Sequence, residues 1–460
     1  VKILLLVSIV VFNLSVFSPQ IQSQDNDEVT IKTAVHDLKI GDPRRVVDDS
    51  VLLLKIDQKN AMVHALYGLA LIDCGEYEKA DKEMLIALSH DPDSPEAHLG
   101  IGKLLFAKGD RKEAIEHLKK ATSTVHLKYM TYEFLGACLS YLDEHEEAAR
   151  VYTQALNDLP DLSEDEKTFL KNNIAIYEGY GKRRLYQIPD DFQSTCLCFT
   201  NSDGHILMPI KVNGTDIGSV HLDTGGSGGL TLSAEWAEKL NLRIIGHRIG
   251  RNVAKELEAD VAMLDEIQFG DLVIRNVPVN LYKGSAFHGK SSGNLGKEVL
   301  QRLNMTLDFK HSELYFFHPK HPELQAGQID GKNATEIIPF YNTKFIVVRA
   351  SINGHETQPF ILDTGAGAVV FHQDYYFDVL QPPEKGGERS KLQAPKPYQI
   401  KSILLGNRAY KDQFSIAMDL RDLYTFAKLY YPGIIGNPLF QSSKLHFNFV
   451  DSTLIIEEIQ

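Results

Sequence analysis

The sequence predicts a multidomain chain in which an all-α solenoid precedes a mostly-β, two-lobed domain. Three observations carry this. Between about residues 60 and 160, small residues recur every 34 positions. Beyond residue 205 the pattern changes to short β-rich runs bounded by turn residues. Within that second part, one set of landmarks returns at a constant offset of 140 positions. The chain is 460 residues long, which by length alone allows roughly two to four domains.

The N-terminus reads as an export segment, residues 1–23. Lys2 precedes an apolar run over 3–17, Ser18-Pro19 ends it, and Ser23 offers a cleavage position. The expected location is therefore exported, periplasmic or extracellular, with an uncleaved membrane anchor as the alternative. The net charge of −13 and pI near 5.7 argue against nucleic acid or an anionic membrane surface as a partner.

The helical part is expected over 28–181. Gly68, Gly102 and Gly136 are spaced by 34, as are Ala80, Ala114 and Ala148, and again Ala87, Ala121 and Ala155. Turn signals lie between the glycine and the first alanine: Cys74-Gly75-Glu76, Lys108-Gly109-Asp110 and Leu142-Asp143-Glu144. Small residues at these points let paired helices approach closely, and one pair cannot bury its apolar face without a neighbour. A degenerate unit is expected over 29–59 and a capping helix over 167–181. The period and pattern resemble the tetratricopeptide repeat. That resemblance implies a surface that recruits a substrate or a protein partner.

A linker is expected over 182–204, one lobe over 205–325 and a second over 326–460. In the first copy, strands are expected over 206–212, 219–222, 272–281, 306–309 and 313–317. In the second they are expected over 345–352, 360–362, 413–418, 445–449 and 453–456. Asn213-Gly214 and Asn353-Gly354 are hairpin turns between the first two strands of each copy. Each copy then delivers the same tripeptide at the end of an apolar run: Asp223-Thr224-Gly225 after Val220-His221-Leu222, and Asp363-Thr364-Gly365 after Phe360-Ile361-Leu362. Gly293-Asn294-Leu295-Gly296 returns as Gly433-Ile434-Ile435-Gly436, each followed by a short helix candidate, over 297–303 and 437–442.

A hairpin, a D-T-G loop, a flap region and an apolar-Gly segment, present twice, resemble the lobes of retropepsin/pepsin-like aspartic proteases. The resemblance covers about 204–460 and is nearest to bacterial-type retropepsin-like domains fused in tandem. It implies an acid-protease fold in which Asp223 and Asp363 form one dyad that activates water against a peptide bond. It further implies that Thr224 and Thr364 cross-brace the two loops, and that Gly225 and Gly365 let backbone amides reach the carboxylates. Gly296 and Gly436 would support the loops from beneath. The expected activity is that of an aspartic endopeptidase on extended polypeptides, with a catalytic unit that is monomeric because both aspartates share one chain. The alternatives are a non-catalytic binding scaffold that uses the repeats, and copies that pair with another chain.

No cofactor or metal is predicted. His318-Pro319-Lys320-His321 reads as a turn after the strand ending at Phe317, because no acidic or sulfur ligand sits at a suitable spacing. The four cysteines are too few for a disulfide scaffold, and Cys74 and Cys138 fall in helical patterns as small core residues. Cys196-Leu197-Cys198 is too closely spaced to suggest a zinc pair, and neither pair is assigned. Asn304-Met305-Thr306 and Asn333-Ala334-Thr335 fit glycosylation sequons.

Two departures from the family pattern stand out. In pepsin-like members the residue after D-T-G is usually Ser or Thr, whose hydroxyl bonds the carboxylate; here it is Ala366 in one copy, which resembles retropepsins, and the less usual Gly226 in the other, with Ser227 one place later. Loss of that bond raises a carboxyl pKa, so a weakly acidic optimum is expected. The flap regions, expected over 246–262 and 385–396, lack the aromatic tip residue of pepsin-like flaps, and Gly386-Gly387 suits a mobile hairpin.

Overall fold

A computed structural model describes residues 11–12, 29–202, 204–226, 228–251, 256–283, 287, 291–330, 335–382, 392 and 394–459. Most of the expected export segment, Ser227, Asn333 and Gly386-Gly387 lie outside the described residues. Contacts divide the described chain into two compact units. One contains the helices up to residue 182 together with Arg421–Tyr431; the other contains the rest.

The helical unit is a run of antiparallel pairs. Ile31–Ile40 pairs with Pro43–Ile56, Ala61–Asp73 with Tyr77–His90, Pro95–Lys108 with Arg111–Ala121, and Lys128–Tyr141 with His145–Asp158; Glu164–Tyr180 packs last. The helices begin where the sequence supplies side-chain acceptors. Asn60 Oδ1 accepts from Val63 N at 3.2 Å, Ser94 Oγ accepts from Ala97 N at 3.3 Å, and Ser163 with Glu166 forms a capping box. The 34-residue period has a direct packing cause. A Cβ at Gly68 would lie 2.6 Å from Met84 Cε, one at Gly102 would lie 2.7 Å from Leu118 Cγ, and one at Gly136 would overlap the Tyr152 ring. Each repeat glycine is thus a hole filled by a large side chain of the next helix. Among the described residues, no helix is long and apolar enough to cross a membrane.

The other unit is built from three sheets. Both halves carry the same central arrangement. In the first, Thr215–Asp223 pairs antiparallel with His205–Val212 and parallel with Ser291–Gly296, which pairs antiparallel with Leu230–Ser233. In the second, Gln358–Asp363 stands between Ile346–Ile352 and Gly433–Gly436, which pairs antiparallel with Val369–His372. The third sheet takes strands from both halves. Its order is Thr335–Pro339, Thr453–Glu458, Ser443–Asn448, Asn304–Asp308, Glu313–Phe317, Ser194–Cys198. Met305 stands opposite Phe447 and Leu307 opposite Leu445, and all four side chains are buried in a core shared by the two halves. In the first half, Ile244–Arg251 and Glu256–Phe269 form the hairpin expected as a flap, and Val11–Phe12 pairs with its Gly250–Arg251 edge.

The structure corrects several expectations. Residues 182–204 are not a linker throughout, because Ser194–Cys198 is ladder-bonded to Glu313–Phe317 and Thr200–Ser202 to His205–Leu207. The second lobe is not continuous over 326–460, because Arg421–Tyr431 clusters with the helices. The first sequon cannot be an exposed acceptor: Asn304 is fully buried and its Oδ1 accepts from Phe449 N at 3.1 Å. The helix expected over 437–442 is a short 3-10 turn, Asn437–Phe440. Cys138 is buried, Cys74 is half-buried, and Cys196 and Cys198 project from the exposed face of their strand.

Candidate active site

Asp223 and Asp363 each terminate a strand whose neighbour is a glycine-ended strand in parallel register. Leu295 and Gly296 stand opposite Leu222 and Asp223, and Ile435 and Gly436 stand opposite Leu362 and Asp363. The glycines leave room for the returning loop. A Cβ at Gly296 would lie 2.8 Å from Gly226 O, and one at Gly436 would collide with the carbonyls of Ala366 and Ala368. The amides that follow them hold those loops: Lys297 N donates to Gly226 O at 2.8 Å, and Asn437 N donates to Ala366 O at 3.0 Å. Both halves therefore place their aspartate in the same way.

The two threonines join the halves. Thr224 N donates to Thr364 Oγ1 at 3.0 Å, and Thr364 N donates to Thr224 Oγ1 at 2.9 Å. Each hydroxyl in turn donates across the axis: Thr224 Oγ1 to Leu362 O at 3.1 Å, and Thr364 Oγ1 to Leu222 O at 2.9 Å. Both threonines are at most 2% exposed, so four buried polar groups find partners only because the other loop is present.

The symmetry fails at the carboxylates. Asp363 Oδ1 accepts from Gly225 N at 3.0 Å and from Gly365 N at 2.7 Å. Asp223 Oδ1 accepts from Gly226 N at 2.7 Å, and its Oδ2 accepts from Asn294 Nδ2 at 2.8 Å. A Cβ at Gly225 would lie 2.5 Å from Asp363 Oδ2, and one at Gly365 would lie 2.6 Å from Asp223 Oδ1, so neither loop tolerates a side chain there. Asn294 was not among the expected site residues. Its position in the second copy is Ile434, so the available signal was a polar residue that breaks an otherwise apolar duplicate. It supplies, from a neighbouring strand, the side-chain donor to the carboxylate that Gly226 lacks, beside the Gly226 amide itself. Behind the loops, Asn437 Nδ2 donates to Thr364 O, and the buried Lys297 Nζ donates to Asn342 Oδ1 at 2.8 Å and to Thr343 O.

Both aspartates are buried, at 0% and 1% exposure, and burial is the main force on their titration. Burial pushes Asp363 up to about 6, against the pull of the Gly365 and Gly225 amides. Asp223 goes well above the usual carboxylate range, first through burial and then through the negative charge of Asp363, with the Gly226 amide and Asn294 opposing. Two carboxyl groups that push each other this way give up one proton before the other, and the first loss belongs to the pair. Among the described residues, no group of three or more His, Cys, Asp or Glu side chains is placed to hold a metal ion. His318 instead closes a turn, its Nδ1 accepting from Lys320 N at 3.0 Å.

Residues 208–299 match the family described as aspartyl protease, and residues 95–124 match the tetratricopeptide repeat. No curated protein matches the chain significantly. Among solved structures, an aspartic proteinase from Irpex lacteus aligns at 12% identity over 58% of this chain and 98% of its own, with a TM-score of 0.40. PilF from Pseudomonas aeruginosa aligns at 19% identity over 32% of this chain and 65% of its own, with a TM-score of 0.27. MamA aligns at 22% identity over 33% of this chain and 85% of its own, with a TM-score of 0.25. The chain thus joins tetratricopeptide repeats to an aspartyl-protease region.

Proposed function

We propose that this chain is an aspartic endopeptidase whose water-activating dyad is Asp223 and Asp363, and whose repeats bind a polypeptide substrate or protein partner. The observation that carries the reading is the reciprocal threonine brace. It fixes two buried carboxyl groups against each other with unequal donor sets, which separates their protonation states.

The pair gives up one proton first; the resulting charge is assigned to Asp363, the carboxyl raised less, and the remaining proton to Asp223. The Asp363 carboxylate takes a proton from water, and the hydroxyl adds to the scissile carbonyl carbon. Asp223 gives its proton to the carbonyl oxygen, forming a neutral gem-diol. Asp363 then returns its proton to the amide nitrogen, the C–N bond breaks, and Asp223 recovers a proton from the diol as the acid product forms. Asn294 holds Asp223 Oδ2 in place through this exchange.

One chain supplies both aspartates and both threonines, so the catalytic unit works as a monomer. The apolar run over 3–17 supports export, to the periplasm or the extracellular space. Incubation of the full chain with a mixed library of extended peptides, read by mass spectrometry, tests the reading. Cleavage at internal bonds, rising as pH increases through about 6 with the first ionisation of the pair, is expected. Removal of terminal residues only, or a maximum near pH 2, would overturn it.

A further inference from the structure

The helical unit contains a segment that belongs to none of its repeats. After the strand Arg408–Met418 the chain forms the helix Arg421–Ala427, which clusters with the repeats and not with the sheets around it in sequence. Lys428 adopts a left-handed conformation, φ 53°, and Leu429 N donates to Tyr424 O at 2.9 Å, which turns the chain back on itself. Leu423, Phe426, Ala427 and Tyr431 are each at most 1% exposed.

The grip on this segment is polar as well as apolar. Tyr430 N donates to Asp73 O at 2.9 Å. Arg44 donates to Tyr430 Oη at 3.2 Å, and its guanidinium carbon lies 4.7 Å from the centre of the same ring. The Tyr77 and Tyr431 hydroxyls meet at 3.2 Å. Lys428 Nζ sits 3.9 Å from Glu133 Oε2 and 5.7 Å from the centre of the Tyr129 ring. At the turn between the first two helices, a Cβ at Gly41 would lie 2.9 Å from Thr425 O, so the segment packs directly on that backbone. These contacts come from three different helix pairs. A surface that holds one short aromatic segment across several repeats is a built peptide site.

What the segment is joined to gives the contact its meaning. Pro432 alone separates Tyr431 from the strand Gly433–Gly436, and Pro432 O accepts from His372 N at 2.9 Å. That strand sets Ile435 and Gly436 in register with Leu362 and Asp363. We propose that the repeats are an internal receptor for Arg421–Tyr431 and, through it, a positioning element for the strand that supports Asp363. Part of the repeat surface is therefore occupied by the chain itself. A competitor would be a peptide pairing a short aromatic helix with a lysine and two tyrosines. The proposal rests on the dyad reading only in naming what the strand supports.

Hydrogen–deuterium exchange on the full chain tests this without reference to catalysis, so an inactive enzyme and a failed grip are told apart. Two perturbations are compared with wild type: Arg44→Ala, and excess synthetic peptide of sequence 421–431 added to wild type. In both, exchange is expected to rise about tenfold or more across 421–431 and several-fold across 433–436, with 304–308 unchanged. If 421–431 exchanges as in wild type under both perturbations, the receptor is refuted. If 421–431 loosens while 433–436 stays as protected as before, the positioning role is refuted. Should Arg44→Ala loosen the whole chain, the peptide arm decides by the same two criteria.

Discussion

Replacing Asp363 with Asn should make the protein more stable at neutral pH, by an amount that grows with pH. In the folded chain, burial holds the Asp363 carboxyl at about 6, against an ordinary value of 3.8. Its folded pKa is raised, so its favourable share of stability is present below the unfolded value and is lost as pH rises. The unfolded chain releases this proton from about pH 4 upward, whereas the folded chain holds it until about 6. The gap of about two pKa units corresponds to roughly 3 kcal/mol, nearly all of it developed by pH 7.5. Asn retains the oxygen that accepts from the Gly225 and Gly365 amides and does not ionise. Removing the charge also relieves Asp223, so this figure is a floor for the pair. The stability difference between Asp363→Asn and wild type should therefore grow by roughly 2–3 kcal/mol between pH 4 and pH 7.5. Any fixed cost of the amide cancels in that difference. Urea unfolding followed through the only tryptophan, Trp236, gives both values. Parallel stability-versus-pH curves for the two proteins would refute the reasoning, because they would show that Asp363 titrates in the fold as it does unfolded.

Other consequences follow from the same geometry. Asn294→Leu removes the Nδ2 donor to Asp223 and should lower kcat/KM about tenfold while moving the alkaline limb of the pH–rate profile upward, since that donor favours the charged form; unchanged limbs would show that Asn294 does not act on the carboxyl. Thr224→Val and Thr364→Val each abolish one cross-loop donor and leave the other loop's amide without its acceptor, costing roughly 1–3 kcal/mol apiece by thermal or urea unfolding. The double variant should cost less than the two single losses together, because each mutation already breaks part of one shared network; strict additivity would contradict the brace.

Much of this fold could be read from spacing. The 34-residue period works because one glycine per repeat must accept a large side chain, a local and repeated requirement. The offset of 140 works because strand, tripeptide loop and glycine strand are used twice in the same register. What sequence reading missed depends on contacts between distant residues. Asn294 reaches Asp223 only through parallel pairing of two strands some seventy residues apart. Ser194–Cys198 is a short run between polar, turn-rich stretches, and its place in the sheet comes from pairing with the distant edge of Glu313–Phe317. The helix Arg421–Ala427 lies between two strands of one lobe, and no local property reveals that its aromatic face is buried in the repeat unit. Asn304-Met305-Thr306 satisfies a surface sequon while its asparagine is needed inside to hold Phe449 N.

The central claim is that Asp223 and Asp363 perform peptide hydrolysis together. Its most direct measurement is kcat/KM on an internally quenched peptide near pH 6.5, for wild type and for Asp223→Asn, with folding of the variant confirmed by its urea transition. The account predicts a loss of about 10³-fold or more, because the variant removes the general acid and leaves the fold intact. Activity retained within about tenfold of wild type would contradict it, and would place the chemistry, if any, elsewhere in the chain.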